Sequence, residues 1–301
     1  MKHNYVFIGI AFLLALLLTG CGLLGGDDEE PFINTPGIAG DPLYQSPRWS
    51  PDGNEILYYS YGFKSIDDKS GDFKQYPDSI GIWVMDIEGK NRRMLFPDAH
   101  YANWSPDGEW IVFVLEAGIY KVPYDGNITD NSEIKALATE GRNFFPEWSP
   151  DGEWIVYDRS LEDEFGPGGI WKMRPDGSEK EHVIGGAYPS WHANSKDIAY
   201  NFQGELRLFN HDVDNYETII QLSSPAGAHR YLQFSPLGDE IVLESESRVT
   251  FIDINTGEAD MLDYGGYPSW SPDGSKIVYI CAGICIMNKD GSDNRLISLF
   301  P

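Results

Sequence analysis

Trp148-Ser149-Pro150-Asp151-Gly152-Glu153-Trp154-Ile155-Val156-Tyr157 is the stretch from which the rest of the chain can be read: an aromatic, a Ser-Pro-Asp-Gly turn and an apolar run. Pro presets φ for the second position of a tight turn, Asp bonds nearby backbone amides, and Gly takes the positive φ that follows. The same five-residue core stands at Trp49–Gly53, Trp104–Gly108 and Trp270–Gly274. Two degenerate copies follow the pattern, Trp191-His192-Ala193-Asn194-Ser195 and Phe234-Ser235-Pro236-Leu237-Gly238. The six aromatic starts lie 55, 44, 43, 43 and 36 residues apart. Periods of about 40–50 residues fit a propeller blade of four strands.

Each copy has one internal order. The turn leads into an apolar strand (Glu55 to Tyr59, Trp110 to Val114, Trp154 to Tyr157 and their counterparts), and a further strand follows, opened in four copies by Gly-Ile. An Asp/Gly/Asn turn then leads to a short last strand, such as the one ending at Met94-Leu95 or at Leu296-Ile297. Four strands repeated six times predict an all-β fold, a six-bladed β-propeller of four-stranded antiparallel blades over residues 43–301. One blade cannot bury both faces alone, so the first aromatic of each copy is expected to fill the wedge against a neighbouring blade. Two routes of ring closure stay open: a strand at Phe32-Ile33-Asn34 completing the last blade, or Leu296 to Leu299 completing it within its own repeat.

These copies resemble the TolB-like propeller repeat, whose pattern runs close to P-x-W-S-P-D-G, apolar strand, I-Y-x-M-D-x-D-G-x-N. Gly169-Ile170-Trp171-Lys172-Met173-Arg174-Pro175-Asp176-Gly177 matches its second half. The resemblance spans about residues 43–300 and implies the fold, while one fold hosts many functions. TolB carries an α/β domain ahead of its propeller. Here about twenty residues separate Cys21 from the first repeat, so the expectation is a lone propeller outside the Tol–Pal machinery.

The start of the chain speaks to compartment. Lys2 gives a positive start, Val6 to Leu18 is apolar, and Thr19 and Gly20 are small, so 1–20 reads as a secretory signal. Leu18-Thr19-Gly20-Cys21 resembles the lipobox of bacterial lipoproteins, which implies lipidation of Cys21 and a tether over 21–42. By the same resemblance, Gly22 in place of Asp implies the outer membrane of a Gram-negative envelope. With 47 acidic and 22 basic residues the formal charge is −25, which repels phosphate backbones and sets nucleic acid aside as a partner.

A search for chemistry finds no nucleophile elbow, zincin motif or phosphate loop, so no catalytic centre and no cofactor is expected. A calcium or other divalent ion stays open at Asp212-Val213-Asp214-Asn215 with Glu217 and at Asp290-Gly291-Ser292-Asp293-Asn294, against the alternative that these are ordinary turns. His100 and His229, four and five residues before their first aromatics, could share a metal or be surface histidines. Cys281 and Cys285 bracket a hairpin and could form a disulfide if directly cross-strand.

Binding candidates come from the innermost strand. Three residues before the first aromatic stands Tyr101, Phe145, Tyr188, Tyr231 or Tyr267, with Ser46 in the first copy; directly before it the residue is polar, including Arg48 and Glu147. Strand alternation places both sets on one side and the Trp on the other. The aromatics then either pack between blades or ring a channel mouth fit for a peptide or sugar. The loops at Ser60 to Ser79 and Asp158 to Gly168, the second carrying Glu162, Asp163 and Glu164, are expected on the face of His100 and Tyr101. The reading is a monomeric, lipid-anchored, non-enzymatic envelope protein that binds a protein or peptide by that face. The alternative is a carbohydrate- or small-ligand-binding propeller, with or without metal-assisted lyase or hydrolase activity, using the channel mouth.

Overall fold

The computed structural model describes residues 44–66, 73–125, 133–160, 167–210, 215–221 and 229–298, and residues 40–301 form one compact unit. Among the described residues regular structure is strand without α-helix: six four-stranded antiparallel sheets, each from four consecutive strands. This is a six-bladed β-propeller. Blade 1 is Tyr44–Trp49, Glu55–Ile66, Phe73–Asp86 and Arg93–Pro97; blade 6 is Gly266–Trp270, Lys276–Ile280, Ile284–Asn288 and Arg295–Ser298. The last blade is therefore completed within its own repeat by Arg295–Ser298, paired to Ile284, Cys285 and Ile286. Phe32 to Asn34 lie outside the described residues.

The turns do what their residues predict. In blade 1, Gly53 N donates to Ser50 O at 2.9 Å, Ser50 Oγ donates to Asp52 Oδ1 at 2.6 Å, and Glu55 N donates to Ser50 Oγ at 2.9 Å, with Gly53 at φ 74°. The degenerate copies keep this geometry by substitution. In blade 4, Asn194 N donates to His192 Nδ1 at 3.0 Å and Ser195 takes the positive φ, 57°. In blade 5, where Leu237 replaces the turn Asp, Ser235 Oγ donates instead to Asp239 Oδ1 at 2.7 Å.

Six apolar clusters hold the ring, one per blade interface. Each is built on the first aromatic packed against the preceding blade: Trp104 against Leu57, Ile82 and Val84, and Trp148 against Val112 and Val114. Trp191, Phe234 and Trp270 repeat this. At the seam, Trp49, Ile56, Tyr58 and Met85 of blade 1 pack on Val278, Ile280, Ile284 and Ile286 of blade 6. The closed ring supplies neighbours for every large face.

One expectation is corrected. Ser60 to Ser79 is not a loop through most of its length: the middle strands of blade 1 run to Ile66 and from Phe73, paired as Phe63↔Gln75, Ser65↔Lys74 and Ile66↔Phe73. Equivalent strands end at Leu115, Arg159, Phe202, Ser245 and Ile280, so blade 1 projects a β-hairpin beyond the ring. The charged residues that make this stretch read as a loop are compatible with a solvated two-stranded ribbon.

Candidate functional site: the central channel and its two ends

The innermost strands are not regular. Each has a break in register, as between His100 and Asn103 or between Gly266 and Ser269. In each, the residue three before the aromatic is left-handed: Ser46 (φ 51°), Tyr101 (53°), Phe145 (50°), Tyr188 (55°), Tyr231 (56°) and Tyr267 (52°). Positive φ costs a non-glycine residue on the order of 1 kcal/mol, and a bulge re-aims its side chain. Simple alternation therefore does not describe these strands, which corrects the expectation that the two sets share one side by period alone. Pro47, Pro146, Pro189 and Pro268 follow the left-handed residue in four blades, but Pro is tolerated on an edge strand and favours an extended residue before it, so they do not announce the bulge.

The bulge brings the rings together at the axis. Centroids stand 4.3 Å apart for Tyr101–Phe145, 5.1 Å for Phe145–Tyr188, 5.2 Å for Tyr188–Tyr231 and 3.8 Å for the stacked Tyr231–Tyr267 pair. Phe145 reaches Tyr231, two blades away, at 5.7 Å. A cavity of about 20 Å³, room for about one water, remains among Ser46, Arg48, Tyr101, Phe145, Glu147 and Tyr231. Both alternatives for these aromatics are partly met: the four tyrosines join the blade clusters, and all five rings converge on the axis, narrowing it instead of ringing an open mouth. Burial raises all four tyrosine hydroxyls, Tyr188 to about 12, so they stay protonated; Tyr231 OH donates to Tyr267 OH at 2.9 Å.

Below the plug lies a tier made by the residues preceding each first aromatic, and three of them tie blade to blade. Glu147 Oε1 accepts from Ser190 Oγ at 3.0 Å and Trp191 N at 2.9 Å; Ser190 Oγ accepts from Phe234 N at 3.2 Å; Gln233 Oε1 accepts from Trp270 N at 2.7 Å. Asn103 Oδ1 accepts from Trp104 N at 2.9 Å. Burial pushes the Glu147 carboxyl up to about 7, against the pull of its hydrogen bonds and of Arg48. Burial likewise lowers the Arg48 guanidinium, which Glu147 raises. This tier floors a funnel of about 350 Å³ on the turn side, walled by the first aromatics and by Pro51, Pro106, Pro150, Pro236 and Pro272. The tying role of Glu147, Ser190 and Gln233 was not readable from sequence.

The opposite end carries the hairpin. Tyr59 meets Tyr61 at 4.7 Å and His100 at 6.0 Å, and His100 meets Tyr101 at 5.0 Å, which places the hairpin base on the face of His100 and Tyr101 as expected. Tyr59 and Tyr61 were not singled out from sequence. Two half-buried acids serve the same kind of tie here. Asp158 Oδ2 accepts from Tyr188 N at 3.4 Å with its carboxyl raised by burial to about 7, and Glu244, also raised by burial, accepts from the Tyr267 amide. Burial lowers His100. The side chain of His229, the acids Glu162, Asp163 and Glu164, the Asp212–Asp214 stretch and Cys21 all lie outside the described residues. Among the described residues no three His, Cys, Asp or Glu side chains group to hold a metal. Asp290 is used by its own turn, Oδ1 accepting from Ser292 N at 2.9 Å. Cys281 and Cys285 form a disulfide with Cα atoms 6.0 Å apart. They are not directly cross-strand, because Cys285 pairs with Tyr279 and Cys281 lies beyond the last pair.

Geometry and repeat together define a six-bladed propeller of the kind found in TolB. TolB from Acinetobacter baumannii superposes with a TM-score of 0.59 at 18% identity, over 79% of this chain and 62% of that one. Oligogalacturonate lyase from Vibrio parahaemolyticus superposes at 0.51 and 12% identity, over 80% and 75% of the two chains. At such identities the likeness concerns the fold. In sequence, the uncharacterised protein Atu1656 of Agrobacterium fabrum is 25% identical over 274 residues, 79% of this chain and 84% of that protein. The uncharacterised peptidase YuxL of Bacillus subtilis is 26% identical over 114 residues, 37% of this chain and 15% of that protein. No family model matches the chain.

Proposed function

We propose that this chain is a protein- or peptide-binding propeller, monomeric and held at the cell envelope by a lipid on Cys21, that engages its partner through the hairpin-bearing face. The observation that carries the reading is an unbroken series of ring contacts, Tyr61–Tyr59–His100–Tyr101–Phe145, running from the hairpin base to the axis. All five side chains are half-buried, presenting rigid ring area with polar tips on the three Tyr and on His100, which is the chemistry of protein interfaces. The TolB-like fold supports a scaffold role, and the Cys281–Cys285 disulfide suits an oxidising compartment. The same tyrosine surface suits a sugar; the likeness to oligogalacturonate lyases supports that second reading at the level of fold alone.

The test is mild crosslinking of the tagged, acylated protein in its native envelope, followed by mass spectrometry. Strong enrichment of one envelope protein, lost in Tyr61→Glu while the melting curve is kept, supports the reading. Undiminished recovery with Tyr61→Glu discards this face. Cys21→Ala is expected to release the protein from membranes or block its processing, and unchanged fractionation refutes the anchor.

A further inference from the structure

The funnel on the turn side lies at the other end of the channel from the aromatic face, and its chemistry is one-sided. A backbone N–H only donates, so the bonds from Trp104 N and Trp270 N turn the Asn103 and Gln233 side-chain oxygens toward the backbone. What each side chain has left is an NH2 group with no further partner among the described residues. Arg48 donates once, to its own Pro47 carbonyl at 3.1 Å, and forms no ion pair with a described residue. A guanidinium has five N–H donors, so most of this fork is unused. The acceptor side is poorer. Glu147 Oε1 is taken twice by blade 4, which leaves Oε2, and burial raises this carboxyl to about 7, disfavouring its charge.

These bonds thus use acceptors and leave donors, and among the described residues of this tier, in a chain of net charge −25, Arg48 is the one cation. We propose that this funnel is a binding site for a small organic carboxylate, whose CO2− group takes the Arg48 fork and the Asn103 and Gln233 amide N–H groups. Its stem lies against the Trp and Pro walls. The planar fork matches a carboxylate in two parallel bonds, and one cation balances one negative charge, whereas a phosphate dianion would meet Glu147 with half its charge unmatched. A volume of about 350 Å³ is within the range of small-molecule sites. The proposal does not rest on the partner reading, which concerns the other face.

The test compares benzoate with its neutral near-isostere benzamide by isothermal titration calorimetry on the whole protein in low-chloride buffer. Benzoate is expected to bind at least ~10-fold more tightly, since charge-assisted bonds are the stronger ones. Arg48→Met, shown to be folded by circular dichroism, is expected to erase the preference; Arg48→Gln replaces it if the Met variant does not fold. A second measurement needs no variant: benzoate raises the melting temperature and benzamide at the same concentration does not. Equal binding of the two probes, no heat with benzoate at ~10 mM, or a preference that survives in a folded Arg48 variant each overturns the site. None of these touches the envelope crosslink, so the two readings fail separately.

Discussion

Glu147→Gln is the substitution that probes the polar tier most directly. The carboxyl holds blade 4 through two bonds to Oε1, from Ser190 Oγ and Trp191 N, and an amide oxygen can accept both. The variant therefore keeps the ties and removes a charge that burial disfavours. A rise from the ordinary 4.5 to about 7, at 1.36 kcal/mol per pH unit, corresponds to about 3 kcal/mol. The direction follows from proton binding. The folded chain holds this proton more tightly than the unfolded chain, so its contribution is fully present below about pH 4.5 and is lost as pH rises through about 7. Glu147→Gln behaves as the protonated form at every pH. It should match wild type near pH 4.5 and exceed it by about 3 kcal/mol at pH 8, a melting temperature higher by about 6 °C. Asp158, raised to about 7 by burial, adds a slope of the same sign to both proteins, so the quantity to follow is their difference. Paired urea titrations at pH 5 and pH 8 measure it. A difference that does not grow between these values, or a variant less stable at pH 8, would show that Glu147 is not desolvated as the fold implies.

The seam offers a second test. Gly89 sits at φ 73° with an added Cβ 1.8 Å from the Ile297 carbonyl oxygen, so Gly89→Ala forces blades 1 and 6 apart and should destabilise by 2 kcal/mol or more, read by urea denaturation. Trp104→Ala removes the apolar side chain between blades 1 and 2 and should cost about 3–5 kcal/mol; a loss under 1 kcal/mol in the same assay refutes the wedge role. Reducing Cys281–Cys285 opens a five-residue loop, for which chain entropy gives about 2 kcal/mol; an unmoved melting temperature in reductant shows that hairpin pairing holds the tip by itself.

The repeat carried the fold because its turn chemistry is local. Ser50, Asp52 and Gly53 act within five residues, and the wedge role of Trp49 or Trp104 follows from size and period. The degenerate turns stayed recognisable for the same reason. The site was less legible, since its geometry comes from a departure at one residue per blade. Nothing about Tyr101 or Tyr231 announces a left-handed backbone, and the preference of pre-proline residues for extended conformations points the wrong way for Phe145, Tyr188 and Tyr267. The polar character of Glu147 and Gln233 is plain in the repeat, but their partners lie 44 and 37 residues away, beyond any local pattern. The hairpin was hidden by lysines and aspartates typical of loops, although Tyr59, Tyr61 and Phe63 already alternate as a strand does.

The plug of Tyr101, Phe145, Tyr188, Tyr231 and Tyr267 makes the axis two blind wells set back to back. A solute larger than a water that enters at the turns must leave at the turns, since the gap among the rings is only about 20 Å³.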